Sequence, residues 1–337
     1  MATYQQQIPA TSRDVARRVG VSQSAVSLVF GGKASGRVSD RTRDAILRAA
    51  RELGYHPNRA ARTLRSGQSR LIALAVPDVS NPYFASVLEG VERAARQRDY
   101  SVMLASVRDE RDWQQVVLDA LAARSVDGFL LFTIGPPTQQ VRAALRGRAV
   151  MVDANDATLP SLRLDIEGGM RAALSHLLQL GHTRIGHLAA AVDAETFHLR
   201  RQTYLDVLRA AGHVAAAAYH ERTPFDISNA HEAAHRLLNR PDAPTAIVCD
   251  SDMLAVGVYK AARDLRRRIP QDLSVVSFDD SILAHILDPE LTTVAISTSI
   301  IGEQACLLLL GALETGQVPE PRIVPLELMI RESTTTV

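Results

Sequence analysis

SRDVARRVGVSQSAVSLVF, residues 12–30, reads as two short helices hinged on a glycine. Thr11 and Ser12 are N-cap residue types, and Val15, Ala16 and Val19 recur on one helical face. Gly20-Val21 breaks the repeat, and Ser22 caps a second helix with Ala25, Val26 and Val29 turned inward, ending at Gly31-Gly32. A helix-turn-helix needs a small residue where its helices touch, a glycine at the turn and apolar residues locking the second helix. Ala16, Gly20, Val26 and Val29 meet these needs, although an ordinary helical hairpin has the same periodicity. Ser39 starts a third helix with an apolar face of Ala45, Ile46, Ala49, Ala50 and Leu53, stopped by Gly54.

Charge separates the two readings of this hairpin. The 337 residues carry a net charge of +1. Residues 1–66 hold 12 Lys and Arg against 4 Asp and Glu, whereas the remaining 271 hold 26 against 33. A basic helical headpiece on an acidic body points to a polyanionic partner met by the first part alone.

The rest bounds the function by exclusion. The longest apolar runs, Ile72–Val76 and Leu307–Leu310, fall far short of a membrane span, and the first residues show no basic-then-apolar signal, so a cytoplasmic protein is expected. Cys249 and Cys306 have no metal or disulfide spacing and read as buried hydrophobes. No G-x-G-x-x-G after a strand, Walker A, G-x-S-x-G or H-E-x-x-H occurs, and nothing pairs a nucleophile with a base. No catalysis, metal or cofactor is expected.

From Leu71 the chain alternates buried strands with amphipathic helices. Strands are expected at 71–76, 101–106, 128–132 and 149–152, then at 184–188, 216–220, 246–249 and 273–278, with helices between. This alternation implies parallel sheets covered on both faces, and its two series imply two lobes with a cleft between them. The organisation expected is a DNA-binding headpiece at 1–56, a hinge and linker at 57–69, and a two-lobed α/β core at 70–337.

The headpiece and its continuation RVSDRTRDAILRAARELGYHPNRAARTLRSGQS resemble the lactose-repressor (LacI/GalR-type) family of bacterial regulators. The resemblance runs on through VPDVSNPYF at 76–84, DGFLLF at 127–132, DIEGGMRAALSHLLQLGHTRIGHLA at 165–189, SDMLAVG at 251–257, IPQDLSVVSFDD at 269–280 and DPELTTV at 288–294. It implies a helix-turn-helix headpiece plus a periplasmic-binding-protein-like core with parallel sheets, homodimers on palindromic operator DNA, and control by a small-molecule effector. A repressor is the default within it, with an activator open. Outside it, the alternatives are an enzyme and a transport binding protein. The terminal LELMIRESTTTV carries no leucine heptads, so a dimer without a tetramerising tail is expected.

By the same resemblance the second helix enters the major groove. Its start, Ser22, with Gln23, Ser24 and Ser27, faces bases or phosphates, and Arg41 adds a phosphate contact. Gln suits the N6/N7 edge of adenine, and Ser suits either base type. Leu28 departs from the family, which commonly carries Arg there. NRAARTL at 58–64 matches the family's hinge helix, giving Asn58, Arg59 and Arg62 as DNA contacts and Leu64 as a minor-groove wedge. Seven residues form no stable helix alone in water, so this segment is expected to order with DNA.

Ligands of open α/β sheets bind beyond the carboxyl ends of strands. That rule selects Asp78, Asp153 and Asp279, which coincide with family positions at the effector cleft. Arg200 matches the arginine that commonly contacts effector, and Ser251-Asp252 stand where the family usually has Asn-Asp. Phe84 and Tyr83 offer an apolar face. An arginine among carboxylates suits a polyhydroxylated ligand. Asp252 and Asp280 read equally well as helix caps, and Arg200 could pair with Asp193 or Glu195. His176, His182 and His187 read as structural.

Overall fold

The computed structural model describes residues 10–31, 34–55, 68–107, 112–132, 137–154, 158–213, 219–317 and 320–337. The hinge candidates Asn58, Arg59, Arg62 and Leu64 lie outside these. The chain divides between Ser69 and Arg70 into two compact units.

The first unit holds α1 (Ser12–Val19), α2 (Gln23–Phe30) and α3 (Asp40–Glu52). Asp14 closes the start of α1 by accepting from the Thr11 amide (2.9 Å) and hydroxyl (2.6 Å). Gly20 takes the left-handed conformation (φ 72°) that ends α1 and turns the chain. Ser22 and Ser39 each accept from the backbone amide three residues on, at 3.2 Å. Val15, Ala16, Val26, Ile46, Ala49 and Ala50 form the core, with the Phe30 and Tyr55 rings edge-on at 5.4 Å beside it. Leu53, expected inward, is instead exposed just beyond the end of α3.

The second unit contains two six-stranded sheets. In chain order it runs β1 (Leu71–Val76), α4 (Pro82–Gln97), β2 (Ser101–Ser106), α5 (Asp112–Ala122), β3 (Gly128–Phe132), α6 (Gln139–Leu145), β4 (Ala149–Val152) and β5 (Ser161–Leu164). The second lobe adds α7 (Ile166–Gln179), β6 (Ile185–Ala190), α8 (Glu195–Ala210), β7 (His220–Thr223), α9 (Ile227–Leu238), β8 (Ala246–Cys249), α10 (Asp252–Asp264), β9 (Ser274–Asp279), α11 (Ile282–Ile286) and β10 (Thr292–Ala295). Then α12 (Thr298–Thr315) and β11 (Arg322–Val324) return to the first lobe, and β12 (Glu327–Met329) to the second. The orders are β11-β5-β4-β3-β1-β2 and β12-β10-β9-β8-β6-β7, with every ladder parallel except β10–β12. Connections after β5, β10 and β11 therefore run between the lobes.

Continuous apolar runs place β1, β3 and β4 in the middle of the first sheet, buried on both faces. The equally apolar β2 is an edge strand, with Met103 and Leu104 exposed. The seventh strand runs His220–Thr223, and residues 216–218 of the expected 216–220 lie outside the described residues; β5, β10, β11 and β12 are too short and mixed to stand out in the sequence. The helix α12 was also missed: its apolar residues surround it, leaving no amphipathic period to read. It crosses α4 at two glycines. A Cβ on Gly90 would lie 1.9 Å from the Ser299 carbonyl oxygen, and one on Gly302 would lie 2.2 Å from that of Val87.

Candidate functional site

On α2, Val26 is buried and Ala25, Val29 and Phe30 pack beside it. The 3.6-residue repeat puts Ser24, Ser27 and Leu28 on the opposite side, with Gln23 in the first turn at the flank next to Val26 and Phe30. Ser22 and Ser24 are exposed and Ser27 is half-buried. Gln23 is exposed too, and its amide nitrogen donates to Ser12 Oγ on α1 at 2.8 Å, which orients the side chain. Arg41 is exposed in the first turn of α3. Ser22 thus sits as a helix cap, while Gln23, Ser24 and Arg41 are exposed on their own helices and Ser27 is half-buried.

In the second unit a cleft of about 410 Å³ opens between the lobes. Asp78 and Asp153 follow β1 and β4 on one side, and Asp250 and Asp279 come from the ends of β8 and β9 on the other. Phe84 and Arg200 also line it, so five of the seven residues expected there meet. Asp153 (φ 52°) and Asp279 (φ 115°) hold backbone conformations that L-residues rarely adopt, a strain that concentrates at functional sites. Asp78 is fixed by accepting from the Ser80 amide (2.9 Å) and hydroxyl (2.8 Å).

The other two lie behind the wall. Ser251 caps α10 and donates to Asp279 Oδ2 at 2.7 Å, so it holds a cleft residue without lining the cleft. Asp252 is fully buried. Its Oδ1 accepts from Ser277 and from Thr293 (2.9 Å), and its Oδ2 from the Ser281 amide (2.7 Å) and hydroxyl (2.9 Å). Four donors saturate a carboxylate. Asp252 is therefore corrected from ligand contact to internal strut, tying β9, β10 and α11 together.

Arg200 is 3% exposed. It donates to the Asp250 main-chain carbonyl and lies over the Phe278 ring, 4.0 Å from its centroid, with Phe197 at 5.3 Å. The partner considered for it, Asp193, pairs instead with His198 at 3.0 Å. The Asp250 carboxylate accepts from His187 Nε2 and from the Ala190 amide, each at 2.9 Å. Burial pushes Asp250 up, but His187 and Arg200 outweigh it and hold this carboxyl below its ordinary range. Asp279 goes the other way. Burial, and then the neighbouring Asp252, push it up to about 8, against the pull of Arg200.

Three buried polar atoms on residues of the lining have no protein partner: Tyr83 Oη, Thr196 Oγ1 and Arg200 Nε. Buried polar groups are almost always paired, so these mark where a polar ligand is accommodated. Burial, and then Asp153 and Asp279, push the Tyr83 hydroxyl well above its usual range, so it donates as a neutral phenol. Sequence reasoning assigned Tyr83 only an apolar role and missed Thr196, Phe197, Phe225 and Asp250. The strand-end rule, applied one residue after Cys249, selects Asp250; the others sit in loops and first turns that carry no comparable signal.

His176 bonds Thr334 (3.0 Å), and His182 bridges Thr245 (2.9 Å) and Ser274 (3.0 Å), both as structural ties. Among the described residues no group of His, Cys, Asp and Glu could hold a metal, and no helix is long and apolar enough to cross a membrane.

Comparison with known proteins bears on both sites. Residues 11–58 match the family described as bacterial regulatory proteins, lacI family, and residues 174–334 match the periplasmic binding protein-like domain. The chain is 32% identical to the HTH-type transcriptional repressor CytR of Escherichia coli strain K12, over 99% of both chains. It is 31% identical to the ribose operon repressor of Halalkalibacterium halodurans, over 96% of this chain and 97% of that one. Among solved structures, the lac repressor dimer bound to operator and the anti-inducer ONPF superposes with a TM-score of 0.87 at 27% identity, covering 97% of this chain and 100% of that one. With its helix-turn-helix and two-sheet parallel core, the chain is a DNA-binding transcriptional regulator and belongs to the lacI family of bacterial regulatory proteins.

Proposed function

We propose that this regulator is a cytoplasmic repressor that binds a palindromic operator as a homodimer and responds to a small polyhydroxylated effector held between the lobes of its core. The observation that carries the effector reading is the set of unpartnered buried atoms, Tyr83 Oη, Thr196 Oγ1 and Arg200 Nε, beside the carboxylates of a cleft with aromatic walls. A sugar-like hydroxyl is donor and acceptor at once, so it can satisfy an arginine, a phenol and a carboxylate together. Ring faces meet Phe84, Phe197 and Phe225. Repression and dimeric operator binding are supported by what the relatives are: CytR and the ribose operon protein are named repressors, and the lac repressor structure is a dimer on its operator.

On this reading Gln23, Ser24 and Ser27 face the bases, and Ser22 and Arg41 face the backbone. The hinge at 57–69 supplies Asn58, Arg59, Arg62 and Leu64. A ligand bridging the lobes favours the arrangement in which both sets of contacts form, by its differential affinity for that arrangement. The headpiece and core are taken as 1–56 and 70–337, and no catalytic step is assigned. The test is selection of bound duplexes from a random library, then a screen of sugars and nucleosides on the selected complex. An inverted-repeat site and one class of compound that shifts its affinity are expected. A lone half-site, or no response to any polyol, would overturn the reading.

A further inference from the structure

The helix α2 contains no charged residue: QSAVSLVF offers its outward side two hydroxyls, one carboxamide and one isobutyl group. The positive charge flanking it comes from its neighbours, Arg13, Arg17 and Arg18 on α1 and Arg41, Arg43, Arg48 and Arg51 on α3. Guanine is read most strongly by the two-pronged fork of an arginine, and this helix has none to offer. Of what it has instead, the carboxamide and the isobutyl group are matched to A·T pairs, and the hydroxyls suit either pair.

Gln23 is set up for adenine. The bond from its amide nitrogen to Ser12 Oγ uses one N–H and orients the group. The second N–H and Oε1 are then the donor and acceptor that meet adenine N7 and N6.

Leu28 is the other half of the argument. Four residues beyond Ser24 and next to Ser27, it shares their face, and it takes no part in the apolar core of the headpiece, which uses Val26, Val29 and Phe30 of the same helix. It is half-buried, so part of its surface is presented outward. An apolar side chain among groove-facing hydroxyls has one complementary feature on the major-groove edges of the four bases, the C5 methyl of thymine.

We infer that Leu28 is a specificity-determining residue that reads a thymine methyl, so that the base pairs read by α2 are A·T rather than G·C. The inference rests on α2 being the reading helix and deepens that assignment. Burying one methyl group from water is worth about fourfold in affinity, hence about fifteenfold over two half-sites.

The experiment uses the full chain and the duplex that wins selection. That site is resynthesised with deoxyuridine for thymidine, one symmetric pair at a time, which removes the methyl and leaves every hydrogen bond intact. At one symmetric thymine pair the wild type should weaken about fifteenfold, and L28A should bind both versions alike. Losses at other thymines, and the thermal midpoint, should be unchanged in L28A. A repeat selection with L28R should replace that A·T pair by G·C. Insensitivity of the wild type to every methyl, or equal sensitivity in L28A, overturns the role of Leu28 alone. Selection that enriches no sequence overturns the reading helix, and this inference with it.

Discussion

Arg200 is anchored to Asp250 through the main-chain carbonyl, while the Asp250 carboxylate is turned away to His187, 2.9 Å from Nε2. The guanidinium thus makes no direct hydrogen bond to that carboxylate, although its charge still acts on Asp250 and Asp279, and it lies at the cleft against two phenyl rings. Two expectations follow from this division of labour. Arg200→Ala should lose the effector response, with calorimetry on the effector from the screen showing about ten- to hundredfold weaker binding, as for a charged hydrogen bond at about 1.5–3 kcal/mol. Unchanged affinity with a lower melting midpoint would make Arg200 a purely structural residue.

His187→Leu attacks the same chain from behind. It leaves the Asp250 carboxylate buried with one hydrogen-bond partner fewer, and losing a hydrogen bond to a charged group costs about 1.5–3 kcal/mol. Urea unfolding should show this loss at neutral pH. Because the Asp250 pKa is held below its unfolded value, the stabilisation is present above about pH 4 and is lost as the pH falls through the lower folded value. Wild type and variant should therefore converge in acid; a gap that persists undiminished there would refute the pairing.

Asp279 carries the opposite sign. Its folded pKa of about 8 lies above the unfolded value near 3.9, so the folded state binds the extra proton between these limits. Its contribution to stability is full below about pH 4 and declines as the pH rises towards 8. Asp279→Asn keeps an acceptor for the Ser251 hydroxyl and removes the titration. The melting midpoint of the variant, relative to wild type, should rise steadily from pH 5 to pH 8.5. A flat difference across that range would show that Asp279 is ionised throughout.

Where the strands were continuous apolar runs, the fold could be read before it was seen: β1, β3 and β4 were expected at their observed bounds. What escaped was set by tertiary partners. The helix α12 hides because both α4 and the first sheet cover it, which removes the polar face that announces a surface helix. In the site, Asp78, Asp153 and Asp279 were legible because strand ends are. Asp252, which opens α10, read equally well as a helix cap or as a ligand contact, and only its four donors show it to be a strut. Thr196 and Tyr83 could not be singled out, since an unpaired hydroxyl is a property of the packed structure.

The crossing of α4 on α12 gives a test of packing. Gly90→Ala drives a methyl to 1.9 Å from a backbone oxygen, which the helices can relieve only by separating. Overpacking of this kind costs about 1–3 kcal/mol or more. Gly311→Ala, on the same α12 with nothing within 4 Å, should instead be neutral or stabilising by up to about 1 kcal/mol. Chemical denaturation of the pair decides it: equal effects of the two substitutions would mean that the close approach at Gly90 is absent.

The headpiece can be dissected by salt. Arg41 is exposed at the start of α3 and faces no base in the proposed docking, so its contribution is charge. Arg41→Ala should weaken binding to specific and random duplexes alike. Its plot of log affinity against log salt should flatten by about two in slope for a dimer, one released counterion per half-site. Gln23→Ala should leave that slope unchanged. Its cost should fall on the selected operator alone, about 1–3 kcal/mol per half-site, with base preference relaxed at one symmetric position. Ser12→Ala should give a weaker form of the same defect, since it removes only the 2.8 Å bond that orients the Gln23 amide. Titrations of both duplex types across a salt series separate the two roles. If Gln23→Ala and Arg41→Ala lowered every affinity by the same factor, Gln23 would be one more backbone contact, and the base-reading face would have to lie elsewhere on the headpiece.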